Sequence, residues 1–166
     1  MYRKIDDFVK QWQYETEQTL NVLRLLTDES LSQAVVPGGR TLGRLGWHLA
    51  QTIPEMMGKA GIPAVGPAEH APLPARAQEI ADAYEAAATA LGAAVQKSWT
   101  DGVLTAERNM YGELWPNGVT LDVLIRHQAH HRGQMTVLMR QAGLRVPGVY
   151  GPAREDWAQW NMPAPE

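Results

Sequence analysis

The sequence predicts an all-α protein built as a four-helix bundle, and three observations carry this prediction. Four long segments place apolar residues three, four and seven positions apart, the spacing of one face of a helix. One long irregular connection separates the middle two segments and is long enough to cross the end of a bundle. The 166 residues have an ordinary globular composition, 45% hydrophobic and 20% charged. We therefore expect a single domain over residues 1–166, large enough to bury a proper core.

The first two predicted helices precede this connection. The first runs from about Lys4 to Leu26, and the second begins after Thr41, whose side chain can accept a hydrogen bond from the first turn as an N-cap. Pro54 lies inside the second helix and removes one backbone hydrogen bond, so the sequence predicts a kink or a break there. The first helix is amphipathic, with its apolar stripe formed by Ile5, Phe8, Trp12, Thr19, Leu23 and Leu26.

The irregular connection, residues 61–72, is rich in glycine and proline and leads into the third predicted helix. That helix has Pro74 in its first turn, is dense in alanine and continues to about Trp99. Residues 101–118 are predicted to be irregular, with a stretch at 110–115 that is compatible with an extended conformation. The fourth helix runs from about Thr120 to Gly143, a good residue to follow a helix end, and 153–160 can add a short helix.

Composition excludes several classes of protein. The net charge of −3 argues against a nucleic-acid-binding protein, which normally carries a basic face. The chain has no cysteine, so it has no disulfide, no thiolate metal site and no cysteine nucleophile. No segment approaches the roughly 18 apolar residues that a membrane crossing requires, and the N-terminus lacks the apolar core of a signal peptide. We therefore expect a cytoplasmic protein without membrane or nucleic-acid partners.

Three histidines form the most informative pattern in the chain. His127 and His131 are four residues apart on the fourth predicted helix, so their side chains share one face about 5–6 Å apart. A helical projection places His131 in the apolar stripe and His127 at its edge, whereas His130 points away. His48 faces the core from the second helix. Two imidazoles from one helix and one from another form a three-histidine ligand set, which leaves a coordination position for water or substrate.

Less specific interpretations of these residues remain open. The histidine pair could instead be an edge-of-core pair bonded to the backbone, and His70, in the connection, is expected to be solvated. Gln128 lies in the apolar stripe and must find a partner if it is buried. That partner is either a ligand imidazole, which the Gln128 amide would orient, or a group on a neighbouring helix. Arg132 is expected to pair with a carboxylate rather than to bind substrate.

Other catalytic patterns are absent from the sequence. His127 is not followed by glutamate, so the general base of an H-E-x-x-H metalloprotease is missing. None of the three serines lies in a G-x-S-x-G motif, and neither a P-loop nor a G-x-G-x-x-G motif occurs. The E-x-x-H pairs of di-iron carboxylate bundles are absent as well. A metal held by three neutral imidazoles is the chemistry that remains.

These residues carry a resemblance to a known family. His48 within Gly-Trp-His-Leu, and His127 with the run His131-Arg132-Gly133-Gln134-Met135, resemble the DinB/YfiT-like superfamily of metal-binding four-helix-bundle proteins. The resemblance implies an up-up-down-down bundle with a long crossover connection. It also implies a divalent metal, commonly zinc or nickel, on His48, His127 and His131, and frequent homodimers. Relatives include S-transferases that use low-molecular-weight thiols, and metal-dependent hydrolases.

The resulting hypothesis is a metal-dependent enzyme that acts on a small-molecule substrate and uses a low-molecular-weight thiol in an S-transfer. A hydrolase that activates water at the same metal is the first alternative. A non-catalytic, stress-related metal-binding protein is the second, and a fourth protein ligand would favour it. His130 and Glu55 are the candidates for such a ligand, and no catalytic residue is assigned.

Overall fold

The computed structural model describes residues 1–63 and 65–165. Ala64, which belongs to the predicted connection, and Glu166 lie outside the described residues. Four α-helices dominate the structure: α1 (Ile5–Leu23), α2 (Leu42–Lys59), α3 (Ala77–Ser98) and α4 (Asn117–Gln141). Short 3₁₀ helices occur at Glu29–Ser32, Asp101–Thr105 and Arg154–Trp160.

Two short strands correct the prediction of a purely helical protein. Strand β1 (Glu107–Met110) pairs antiparallel with β2 (Glu113–Pro116), and the hairpin directly precedes α4. Its two-residue turn places Tyr111 and Gly112 at φ angles of 59° and 94°, the left-handed conformation that a tight hairpin of this type requires. Four-residue strands are too short to show a clear periodicity, so only the extended stretch at 110–115 was anticipated. The described chain is therefore mostly helical, with one small sheet.

The start and the interior of α2 follow from local chemistry. The hydroxyl of Thr41 accepts a hydrogen bond from the backbone N of Arg44 at 3.1 Å, which confirms Thr41 as the N-cap. Pro54 lies inside α2, and the helix continues past it to Lys59, so of the predicted kink or break the break is absent. Buried Ile53 and Met56 flank the proline and keep both sides of it in the core.

Helices α1 and α4 run in the same direction. The backbone N of Tyr2, just before α1, donates to the carbonyl of Gly118 at the start of α4. Glu15, thirteen residues after Tyr2, forms an ion pair at 2.5 Å with Arg132. Arg132 lies fourteen residues after Gly118. Contacts that advance together along both helices require a parallel pair.

Helices α2 and α3 both run opposite to this pair. Gly46, near the start of α2, lies against Leu23 at the end of α1, Ile80 at the start of α3 and Met135 in the second half of α4; a Cβ on Gly46 would meet them at 3.0–3.5 Å. The direction order is therefore up-down-down-up. The up-up-down-down order that the resemblance implied is wrong, because the connection from α2 to α3 returns along the helices before α3 begins.

Contacts along α2 trace this crossover. The amide N of Gln51 donates to the carbonyls of Ala68 and Glu69, both at 2.8 Å, and the indole N of Trp47 donates to the carbonyl of Ala71 at 3.0 Å. The chain thus passes Gln51 first and Trp47 next, back toward the start of α2. The predicted long crossover is confirmed.

A buried ion pair joins α1 and α4. Arg132 and Glu15 are almost fully buried, and the Arg132 guanidinium also donates to the hydroxyl of Thr19 at 2.8 Å. Tyr150, in the C-terminal segment, donates its hydroxyl to the same Glu15 carboxylate at 2.7 Å. The predicted carboxylate partner of Arg132 is therefore confirmed, and the pair also ties the C-terminal segment to α1. Among the described residues, no helix combines the length and apolarity needed to span a bilayer.

Candidate metal centre

The three predicted histidines meet between α2 and α4. His48, His127 and His131 each offer a ring nitrogen that lies within 4.8 Å of the other two. The Nε2 atoms of His48 and His127 are 3.1 Å apart, and the three ring centroids are separated by 4.5–4.9 Å. His127 and His131 converge because they are one turn apart on α4. His48 joins them because α2 runs antiparallel to α4 at the same level.

Two features set the packing of α2 at this level. Gly46, half a turn before His48, lets α1 and α3 approach closely, since a Cβ there would lie 3.0 Å from Leu23 and 3.3 Å from Ile80. The fully buried Gln128 donates its amide N to the carbonyl of Leu49 at 3.4 Å across the two helices. Gln128 therefore bonds a neighbouring helix, the second of the two partners left open by the sequence.

All three imidazoles are held in the neutral form that metal binding requires. Burial, with the nearby His131 and the cations Arg40 and Arg44, lowers the pKa of His48 to about 4. Burial and the two neighbouring histidines likewise lower the pKa of His127 to about 4. Burial also lowers the pKa of His131, against the opposing effect of its hydrogen bond to Gln134. At neutral pH each ring therefore keeps a nitrogen lone pair.

Gln134 orients one of these rings. Its side-chain Oε1 lies 2.7 Å from the Nδ1 of His131. Because a neutral imidazole that donates from Nδ1 carries its lone pair on Nε2, this bond leaves the Nε2 of His131 free to bind a metal. Gln128 makes no hydrogen bond to any of the three rings in the described part of the chain. The sequence pointed to Gln128 as a possible partner of a ligand imidazole. The three-residue spacing of His131 and Gln134 on one helix was the signal that could have identified Gln134.

The other candidate ligands lie outside the group. His130 is exposed, with its ring centroid 4.9 Å from that of His131, and His70 is exposed in the crossover. Glu55 accepts a hydrogen bond from the Tyr111 hydroxyl at 2.7 Å and pairs with Lys59 at 3.4 Å. Within residues 1–63 and 65–165, three histidines and no fourth His, Asp or Glu can share one ion at this place.

Two cavities flank the histidines. A mostly polar cavity of about 270 Å³ reaches His48, and its lining includes Arg44, Glu55 and Glu69. A mostly apolar cavity of about 500 Å³ reaches His131. Arg40 lines both cavities, so its side chain lies between them, beside the histidines. Sequence reasoning missed Arg40, because a loop arginine before an N-cap carries no pattern that links it to residues on α4.

The comparisons with known proteins agree with this architecture. The family model described as "DinB family" matches residues 1–162. The uncharacterized protein YrdA of Bacillus subtilis is 46% identical over 166 residues, which is 100% of this chain and 99% of that protein. A DinB-like protein from Bacillus cereus, known from a crystal structure, is 50% identical with a TM-score of 0.87, over 90% of this chain and 100% of that one.

A more distant structure extends the likeness of fold. The DinB-like protein YjoA from Bacillus subtilis is 13% identical with a TM-score of 0.68, and the match covers 89% of this chain and 99% of that one. At this identity the likeness concerns the fold alone.

Proposed function

The chain belongs to the DinB family, and on this premise we propose that it is a metal-dependent enzyme with a divalent ion held by His48, His127 and His131. The proposal depends on the convergence of three neutral imidazoles without a fourth described ligand. Cavities lie on both sides of this group. Structural zinc sites are closed by four protein ligands, whereas catalytic sites use three and leave a position for substrate or water. A purely structural metal is therefore disfavoured.

The ligand geometry fits a first-row divalent ion. Metal–imidazole bonds of 2.0–2.1 Å in a tetrahedral site place ligand nitrogens about 3.4 Å apart. The separation of 3.1 Å between His48 and His127, and the limit of 4.8 Å for the whole group, are close enough for small side-chain rotations to reach this value. Zinc and nickel both suit imidazole ligands, and they are the ions we propose.

A thiol S-transfer is the reaction that we favour at this centre. A divalent ion there would lower the pKa of a thiol in the fourth position and so supply a nucleophile. The sulfur would form a bond to an electrophilic carbon, the leaving group would depart with its bonding electrons, and the thiol proton would pass to solvent. Arg44 supports this choice, since a cation in the polar cavity beside His48 suits a thiol that carries carboxylates.

Hydrolysis is the second candidate, and Glu55 and Glu69 are the observation that favours it. Both carboxylates line the cavity that reaches His48 and could serve as a base for water. Glu55 is engaged by Tyr111 and Lys59, which is why we place hydrolysis second. A stress-related protein that binds metal without catalysis would show metal but no turnover.

The first experiment tests the ligand set. Elemental analysis is expected to find one divalent ion per chain in the wild-type protein and none in His48→Ala, His127→Ala or His131→Ala. The matched controls, His70→Ala and His130→Ala, should keep the ion, because both side chains are exposed outside the group. Loss of the ion from a control variant would show that the ligands are assigned wrongly.

The second experiment tests the reaction. In cobalt(II)-substituted protein, the correct member of a panel of low-molecular-weight thiols should produce a thiolate-to-metal charge-transfer band, and the same thiol should be conjugated to an epoxide or haloalkane. Both signals should vanish in His131→Ala. Ester or amide cleavage without a thiolate-to-metal band would show that the protein is a hydrolase and not a transferase. Bound metal with neither activity would contradict both proposed reactions.

A further inference from the structure

The apolar cavity beside His131 has the features of a ligand site. Two of its lining side chains, Val35 and Val137, are exposed apolar groups, 64% and 53% accessible. Leu45 and Leu138 lie deeper and are buried. Exposed apolar side chains at the rim of a cavity are removed from water when a molecule with an apolar part binds there. This cavity holds about 500 Å³, a volume suited to a small molecule.

Among the described residues that line this apolar cavity, Arg40 is the arginine beside the histidines. Arg40 lines the cavity together with His131 and also lines the polar cavity that reaches His48. Its guanidinium makes no hydrogen bond or ion pair with any described side chain, whereas Arg44 is bonded to Gln51 at 3.0 Å. The described lining of the apolar cavity contains no carboxylate. Burial is the largest cause of the lowered pKa of all three histidines, and the charge of Arg40 is a smaller one. Arg40 therefore lies near each of them.

We propose that Arg40 binds the carboxylate of a small apolar molecule whose hydrocarbon part lies between Val35, Val137 and Leu138. The planar guanidinium pairs with a carboxylate through two hydrogen bonds, and the valine and leucine side chains cover the hydrocarbon. The inference rests on the proposed function, because the carboxylate end lies next to the three histidines. It adds the class of compound that the centre accepts: a small carboxylate with an apolar tail.

The test compares three probes on the zinc-loaded protein by calorimetry: hexanoate, the uncharged hexanamide, and acetate. Hexanoate is expected to bind about tenfold or more tightly than hexanamide, because only the hexanoate carboxylate can form a hydrogen-bonded ion pair with Arg40. Each methylene between acetate and hexanoate that is buried should strengthen binding by about fourfold. Equal affinities for hexanoate and hexanamide would overturn the proposal.

Two variants assign the effect to residues. Arg40→Gln should reduce hexanoate to the affinity of hexanamide, and Arg40→Lys should retain part of the difference. Arg126→Gln changes the net charge equally at an exposed arginine that is paired with Asp122 on α4, so it should bind hexanoate like the wild type. If Arg126→Gln weakened hexanoate as much as Arg40→Gln, the preference would come from overall charge, and the site would be refuted.

A second pair of variants tests the apolar part. Val137→Ser should flatten the dependence of affinity on chain length, whereas Val65→Ser, at an exposed valine outside the cavity, should leave it unchanged. An unchanged dependence in Val137→Ser would refute the placement of the hydrocarbon.

Two measurements test the proposed metal site and the proposed carboxylate site separately. The zinc content is measured first, and the hexanoate and hexanamide titrations are then repeated on metal-free protein. A wild-type protein without zinc would refute the proposed function. On the metal-free protein, the carboxylate site would be refuted if the wild type bound hexanoate no more tightly than hexanamide. It would also be refuted if Arg40→Gln bound hexanoate as tightly as the wild type.

Discussion

Replacing Gln134 by leucine tests whether the hydrogen bond to His131 tunes the metal centre. Removing a group that orients a ligand histidine typically weakens metal binding 10–100-fold. The Oε1 of Gln134 accepts from His131 at 2.7 Å, but its side chain is exposed, so water can take over part of its role. We therefore expect the lower limit, about tenfold weaker zinc binding, which corresponds to about 1.4 kcal/mol.

Competition against a chromophoric chelator at fixed pH measures this change directly. Gln134→Glu keeps an acceptor at the same place and adds a negative charge, so it should bind zinc at least as tightly as the wild type. Gln128→Leu is the matched control, because the sequence pointed to Gln128 whereas the structure bonds its amide to the Leu49 carbonyl. The control should affect unfolding but leave zinc affinity within about twofold of wild type.

Two results would refute the reasoning. If Gln134→Leu bound zinc as tightly as the wild type, the hydrogen bond to His131 would not contribute to the site. If Gln128→Leu weakened zinc binding as much as Gln134→Leu, the buried glutamine would be the one that supports the ligands.

Three further predictions follow from the buried groups and the surface. In metal-free protein, stability should fall as the pH drops from about 6.5 to about 4. His48 and His127 have a pKa of about 4 when folded but 6.5 when unfolded, so the unfolded chain takes up protons first. Replacing both histidines by asparagine should make the melting temperature depend less steeply on pH across this range. An unchanged dependence would contradict the lowered pKa of these two histidines. Arg132→Met should lower the free energy of unfolding by about 3–5 kcal/mol, because it leaves the Glu15 carboxylate buried without a cation. Urea titration should show most of the loss recovered when Glu15→Leu is added, and additive losses would mean that the pair is not coupled. Light scattering should give a homodimer of twice 18.4 kDa, since two-fold dimers are the commonest oligomer, and a monomer mass at micromolar concentration would exclude it.

Local sequence signals predicted the helices well. Thr41 before an apolar periodic segment identified the start of α2, and the predicted α4 from Thr120 to Gly143 differs from the observed Asn117–Gln141 by two or three residues at each end. These signals are local because capping and the 3.6-residue period involve neighbours within one or two turns. The hairpin at 107–116 was largely missed, since strands of four residues show too little periodicity.

Helix directions depended on tertiary contacts. Periodicity is the same for a helix running up or down, so it carries no information about whether α1 and α4 are parallel. That relation became visible only through pairs distant in sequence, such as Glu15 with Arg132. The crossover that passes Gln51 and Trp47 then places α3 parallel to α2.

The sequence by itself determined that His48, His127 and His131 could form one ligand set, because residue type and helical spacing restrict which imidazoles face the core. Only the tertiary structure decided what surrounds them. It selected Gln134 over Gln128 as the partner of His131, and it placed the loop residue Arg40 between two cavities. The physical reason is that ligand spacing on a helix is set by local geometry, whereas the hydrogen bonds, charges and cavities around a site arise where segments distant in the chain pack together.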